Sequence, residues 1–330
     1  MPLDLYAIGN ALVDSEFLVS DEFLAGQGIE KGCMTLIDDA RRHVLLAALA
    51  ERHPCAKRAS GGSAANSVIA FSTFGGEAFY ACKVANDDDG RFYLEDLCSA
   101  GVGAPSHALA EVGVTGTCIV MVTPDTERTM NTHLGITSAL SAGELDMNRL
   151  PQARYLYIEG YLATSPSARA AVRLARHTAR ERGIVTALTF SDPAMVQYAR
   201  EGLEDMLADG VDILFCNESE ARQWTGADTA EEAVTRLHRV SPLVVVTLGS
   251  EGALASERGQ LTRIAPCPVK AVDSNGAGDA FAGAFLYGLS QGWSLARAGE
   301  LASRTASRVV SRFGPRLDRN EYQDILRELA

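Results

Sequence analysis

Between residues 155 and 248 two kinds of apolar pattern alternate, and that alternation constrains the fold more than any other feature. The stretches 155–160, 184–190, 211–216 and 243–248 are short, nearly continuous apolar runs, as in Leu243-Val244-Val245-Val246. Runs without a polar alternate face belong to strands covered on both sides. Segments 166–182 and 193–208, lying between them, have helical spacing and start at a proline. Strands joined through helices pair in parallel, because the crossover returns the chain to the same end of the sheet. The expected fold class is therefore α/β: helices on both faces of a mostly parallel, doubly wound sheet. Strands at 5–10 and 78–84 and helices at 38–49, 87–100, 294–312 and 319–329 extend the pattern, and a hairpin-like pair ends near residue 264. No Pro-, Gly- or Ser-rich linker divides the chain, so residues 1–330 are expected to form one domain.

Two segments break the alternation. Segment 15–37 reads as short strands joined by a polar linker, with no crossover helix. Residues 117–122, a turn at Thr123-Pro124-Asp125 and residues 127–132 read as a β-hairpin. Paired together, about 13–37 and 112–135 would form a small sheet projecting from the core, a shape suited to a lid that excludes water. Arg128 on this hairpin would reach a substrate or a phosphate from it, although most hairpin arginines are simply solvated. The apolar 118–122 strand would serve as a dimer face if its outer side were exposed; equally, it would cover the substrate.

The chemistry is expected to converge on Val272-Asp273-Ser274-Asn275-Gly276-Ala277-Gly278-Asp279-Ala280-Phe281. An extended segment turns on two glycines and enters an Ala- and Leu-rich helix. A helix start carries unpaired N–H groups and the positive end of the dipole, so the amides of Gly276, Ala277 and Gly278 can hold an anion. Asp279 sits among them. It either complements the helix dipole or accepts a proton from an attacking hydroxyl beside the anion site.

Other candidates lie at strand ends. Asp14 follows the first strand, where open α/β sheets bind ligands, and Glu159 ends the 155–160 strand. Gly61 and Gly62 open a small-residue helix and let a hydroxylated substrate lie against backbone; Asn66 offers it a donor and an acceptor. Tight helix packing explains the same residues. Asn217 and Glu220 share a helix face, and read alone they are an N-cap and its capping-box acid. The lysine-containing phosphate-loop pattern G-x-x-x-x-G-K-[ST] is absent.

A net charge of −12 argues against nucleic acid or an anionic membrane face as partner. The seven cysteines (33, 55, 82, 98, 118, 216 and 267) are scattered, with no C-x-x-C pair, and are expected to be reduced thiols of a cytoplasmic protein. No basic region followed by an apolar stretch opens the chain, and no apolar run reaches about 18 residues.

The Gly-Gly entry at 61–66, Asn-x-x-Glu at 217–220 and Asp273-Ser-x-Gly-Ala-Gly-Asp279, in that order, resemble the motifs of the ribokinase-like, or PfkB, family of carbohydrate and nucleoside kinases. The resemblance implies a ribokinase-like three-layer α/β/α sandwich with a small β lid and ATP-dependent phosphorylation of an alcohol. It casts Asp279 as catalytic base and Gly276, Ala277 and Gly278 as anion hole. Asn217 and Glu220 become the pair that organises Mg²⁺ and the nucleotide phosphates, largely through water. Thr247 and Gly249 match positions near the nucleotide, and Asp14, Gly61, Gly62, Asn66 and Glu159 match the sugar-facing side. Family members also bind a monovalent cation such as K⁺ beside the anion hole, for which Asp273 and the 311–314 loop would serve here.

Asn275, Gly-Asn-Ala-Leu-Val-Asp at 9–14 and Gly-Gly-Ser-Ala-Ala-Asn-Ser at 61–67 look more similar to the adenosine-kinase and nucleoside-kinase branch than to ribokinase or fructokinase. A nucleoside acceptor is thus expected ahead of a free sugar, in a monomer or a homodimer joined through the lid. A dehydrogenase fits poorly, since the third glycine of the dinucleotide fingerprint is misplaced and no acid ends a second strand at the required distance. A non-catalytic sugar- or nucleotide-binding protein has no reason to keep Asp279 beside an intact anion site.

Overall fold

A computed structural model describes residues 3–105, 111–125 and 127–329. The chain begins β1 (Leu3–Ile8), β2 (Leu12–Leu18), α1 (Asp21–Gly26), β3 (Met34–Leu36), α2 (Asp39–Ala50), β4 (Cys55–Gly61), α3 (Ser63–Phe74), β5 (Ala78–Ala81), α4 (Asp88–Ser99) and β6 (Val102–Gly103). It continues with β7 (Gly116–Val122), β8 (Arg128–His133), β9 (Ala153–Ile158), α5 (Pro166–Arg182), β10 (Val185–Thr189), α6 (Pro193–Tyr198), α7 (Arg200–Leu207), β11 (Ile213–Asn217), α8 (Glu218–Thr225) and α9 (Ala230–Leu237). Strands β12 (Leu243–Thr247), β13 (Ala253–Glu257) and β14 (Gln260–Ile264) precede α10 (Ala277–Ser290), α11 (Leu295–Val310) and α12 (Arg319–Leu329).

Nine strands form the main sheet in the order β14-β13-β12-β11-β10-β9-β1-β5-β6. From β12 to β6 the pairing is parallel, and β13 and β14 close one edge antiparallel. Alternate residues of one strand enter opposite cores, as strand geometry demands. Leu243 and Val245 pack with α3, α10, α11 and α12, while Val244 and Val246 pack with α5 to α9. Both faces are covered, which accounts for the uninterrupted apolar runs.

The chain leaves β1 for β5 on one side and later returns to β9 on the other. A crevice opens beyond the carboxyl ends of strands at such a reversal. Residues 9–14 and 159 flank it.

A second sheet, ordered β3-β8-β7-β2-β4, stands over this crevice. Its β7–β8 hairpin follows the expected turn, with Val122 opposite Arg128; Thr126 within that turn lies outside the described residues. Strand β4 was not legible in the sequence, because Cys-Ala-Lys-Arg-Ala-Ser-Gly has no apolar alternation; antiparallel pairing with β2 holds it. Segment 15–37 is not all strand and linker, since α1 lies within it. Ser20 caps that helix and Leu24 joins Phe17, Leu45 and Leu49 in a small core, but six residues are too few to show a helical period. The predicted helix over 193–208 divides at Ala199, and α9 went unassigned.

Strand β7 offers no exposed apolar face for a dimer. Ile119 and Met121 pack against the α2 side, Cys118 and Val120 face the crevice, and all four are buried.

Candidate active site

Gly276 caps α10 at φ +70°, a left-handed conformation that glycine adopts without strain, and a Cβ there would also strike the Pro315 backbone. The Ala277 N–H turns back to the Ser274 carbonyl at 3.3 Å. Gly278 faces open space, with nothing within 4 Å of where a Cβ would stand. An amide beside open space at a helix start is suited to an anion.

Asp279, one residue on, is held by α3. Ser63 Oγ donates to its Oδ1 at 2.6 Å and Asn66 Nδ2 to its Oδ2 at 3.0 Å. Burial pushes its carboxyl up to about 6, and the two hydrogen bonds restrain the rise. The side chain is thus ionised at neutral pH and basic enough to accept a proton. Asn66 itself lines the same cavity, and its buried Oδ1 has no partner, an unused acceptor beside the carboxylate.

That cavity, of about 340 Å³, is lined on the main-sheet side by Asn66, Glu159, Asp192, Asn217 and Asp279, and Asp14 reaches it from β2 of the second sheet. The rest of its roof is mostly apolar, with Leu12, Met34, Leu36, Val120 and Met130 from the second sheet beside Asp14 and Thr132. The Asp14 carboxylate lies so close to Gly61 that any side chain at 61 would overlap it. Burial pushes Asp14 up to about 7, against the pull of Arg316 and Arg128. Glu159 spans the crevice, accepting from the Asn10 N–H at 3.2 Å and the Ala64 N–H at 2.9 Å. It fastens the end of β1 to the start of α3; burial raises it to about 7 despite both bonds.

A second cavity of about 460 Å³ is lined by Thr247, Gly249, Val269, Phe281, Ala306 and Val310, among others. Ser274 and Gly278 belong to both cavities, so the two meet at the entry to α10. One chamber presents hydroxyl-binding groups, the other a largely apolar slot, and open amides separate them. A further cavity of about 570 Å³ lies at the opposite end of β10 and β11 and contains none of the expected residues. Its Arg176 is committed to the carbonyls of Met206, Ala208 and Gly210.

The sequence pattern described as pfkB family carbohydrate kinase matches residues 31–321. The chain belongs to the PfkB family of kinases. It is 30% identical to the adenosine kinase of Saccharomyces cerevisiae over 335 residues, covering 96% of this chain and 97% of that one. The crystal structure of adenosine kinase from Sinorhizobium meliloti superposes with TM-score 0.90 at 33% identity, covering all of both chains. A probable sugar kinase protein from Rhizobium etli CFN 42 gives TM-score 0.91 at 32% identity over 100% of this chain and 99% of that one. This kinase is accordingly a phosphotransferase acting on a hydroxyl group, with the ribokinase-like fold.

Three expected site residues of the kinase sit otherwise than the motifs suggested. Arg128 lines neither cavity; its Nη2 donates to Glu16 at 2.5 Å and its Nε lies 3.1 Å from Asp273 Oδ1. Glu220 is buried behind Asn217 in a complete capping box, accepting from the Asn217 N–H at 2.9 Å and its Nδ2 at 2.8 Å. Its carboxylate therefore orients Asn217 and opens onto neither cavity. Asp273, proposed for a monovalent cation, accepts the N–H groups of Asn275 at 3.0 Å and Gly314 at 2.8 Å, with Arg128 alongside. The 311–314 loop does meet Asp273, but through an amide.

Among the described residues no group of three or more His, Cys, Asp or Glu forms a metal cage. A hydrated Mg²⁺ carried by phosphates needs only one or two carboxylates. Burial raises Glu220 to about 7, the Asn217 amide restrains it, and the charges of Asp192 and Asp279 raise it further. Asp192 and Asn217, which line the cavity together with Gly278, are the oxygen donors that suit such an ion, with Glu220 behind them adding negative charge.

Ser63, Asp192 and most of the apolar walls escaped the sequence reading, whereas the 118–122 strand does supply Cys118 and Val120 to the acceptor cavity. Ser63 directly follows Gly61-Gly62, a signal that was present; the wall residues resemble any buried Val, Ala or Met.

Proposed function

We propose that the chain is an ATP-dependent, Mg²⁺-assisted kinase of a nucleoside, adenosine-like, acting on the ribose 5′-hydroxymethyl group. The observation that carries this reading is the two-sided cavity: Asn66, Glu159, Asp192 and Asp279 on the main-sheet side, and on the second-sheet side an apolar patch of Leu36, Val120 and Met130 beside Asp14. A flat base gains by covering the roof, whereas a free sugar exposes hydroxyls on nearly every side and would leave some unpaired against it. ATP fits the second cavity, its adenine against Phe281 and Val310 and its phosphates toward Gly278.

Asp14 and Asn66 orient the acceptor, and Asp279 takes the hydroxyl proton as the oxygen attacks in line. The Gly276 and Gly278 amides hold charge on the transferring group. Mg²⁺, when bound with the nucleotide near Asn217 and Asp192, neutralises phosphate charge. The second sheet acts as the lid that excludes water. Among the described residues no helix is long and apolar enough to cross a membrane.

An ADP-release assay over a panel of nucleosides, pentoses and hexoses tests the reading. Turnover with a nucleoside at low KM is expected. Turnover only with a sugar selects the sugar-kinase alternative, which the resemblance to the Rhizobium etli protein keeps in play. Stabilisation by ATP without ADP release across the panel would indicate a binding protein.

A further inference from the structure

Asp273 is 5% exposed and stands three residues before the open amides. Its two oxygens already accept two N–H groups, and the Arg128 guanidinium lies against Oδ1. Nε is off the hydrogen-bonding line, so the contact is an ion pair held by charge and packing. The other end of Arg128 meets Glu16, itself 6% exposed. A buried guanidinium thus bridges one carboxylate on β2 and another on the loop that enters α10.

A second cation borders the same place. Lys57, paired across β2–β4 with Glu16, lays its ammonium group against Gly314, where any Cβ would run into it. Arg128 therefore meets both buried carboxylates, and Lys57 adds a second positive charge from the same sheet nearby without pairing to either. A K⁺ ion needs oxygen ligands, and beside Asp273 it would meet like charge in a weakly solvated setting. The residues do not fit a monovalent cation.

We infer that Arg128 is the resident cation of Asp273: a positioning residue that ties β8 to the 273–276 loop and makes turnover independent of added K⁺. The inference rests on the kinase reading above. The arrangement also couples the second sheet to the anion site, since moving β8 away would withdraw the guanidinium and leave Asp273 facing two amides alone.

The test compares the full chain in KCl, NaCl and choline chloride at matched ionic strength, so that screening is equal. For the unaltered protein kcat is expected to agree within about twofold and the melting temperature to be the same in all three salts. In Arg128→Met, kcat should fall by about tenfold or more in choline with nucleotide KM much less changed, and KCl should restore part of it while raising the melting temperature. Arg128→Lys should keep most of the activity. K⁺ activation or K⁺ stabilisation of the unaltered protein overturns the inference, as does an Arg128→Met loss that is equal in KCl and choline. If Arg128→Met does not fold, the unaltered protein's salt response decides alone. Absence of ADP in every salt and with every acceptor would instead sink the kinase reading, while the melting arm still judges Arg128.

Discussion

Asn66 Nδ2 lies 3.0 Å from Asp279 Oδ2, although 213 residues separate them. The first turn of α3 and the first turn of α10 thus present an amide and a carboxylate to the same cavity. Asn66 donates to the acid through Nδ2 while its buried Oδ1 has no partner, so one residue orients the carboxylate and keeps an unused acceptor beside it.

Replacing Asp279, the proposed base, is the most direct trial of that pairing. Asp279→Asn is expected to lower kcat by about 10²–10⁴ while nucleotide affinity stays within a few-fold, since general-base removal acts on the chemical step. ADP release and calorimetric nucleotide titration measure the two. Near-normal turnover would show that another group takes the proton.

The acid limb of the rate profile should report Asp279. With its carboxyl at about 6, kcat rises with pH through about 6 and levels off above 7. Ser63→Ala removes a donor that favours the ionised form, so the limb should move to higher pH. A limb that moves down, or does not move, contradicts the assignment.

Stability of the ligand-free protein should fall as pH rises from about 4.5 to 7. Asp14, Glu159 and Glu220 are raised to about 7, above their unfolded values, so the folded state binds more protons across this window. Stability contributed by such groups is complete below the unfolded value and is lost as pH climbs through the folded one. Melting temperature against pH checks the sign, and Glu159→Gln, which cannot ionise, should flatten the slope. A melting temperature that climbs across the window would refute it.

The roof should matter to a base more than to a sugar. Met130→Ala removes contact worth about 1–2 kcal/mol, raising nucleoside KM by about 5–30-fold and leaving any ribose turnover nearly unchanged. Equal effects on both acceptors would detach the roof from base binding.

Gly61→Ala places a methyl group on the Asp14 carboxylate. Overpacking of this kind costs about 1–3 kcal/mol, and displacement of Asp14 should raise acceptor KM by about tenfold with nucleotide affinity kept. Unchanged acceptor kinetics would show that Asp14 is not a substrate ligand.

Some of this was written in local order along the chain. Apolar runs separated by helical periods dictate a parallel sheet covered on both faces, because only burial on both sides tolerates Leu243-Val244-Val245-Val246 without a polar face. The Gly276-Ala277-Gly278-Asp279 turn likewise declares a helix start suited to an anion with an acid in it, since backbone conformation and dipole are properties of neighbours in sequence. What long-range packing decided is which donors and charges meet. Ser63 on Asp279, Glu159 between Asn10 and Ala64, and Arg128 between Glu16 and Asp273 span 95 to 216 residues. The roof of the acceptor cavity belongs to the same class, because Met130 and Val120 point inward only through the register of a sheet whose strand β4 has no apolar pattern at all. A carboxylate's partner and its proton affinity depend on distance and burial, and both exist only once the chain has folded.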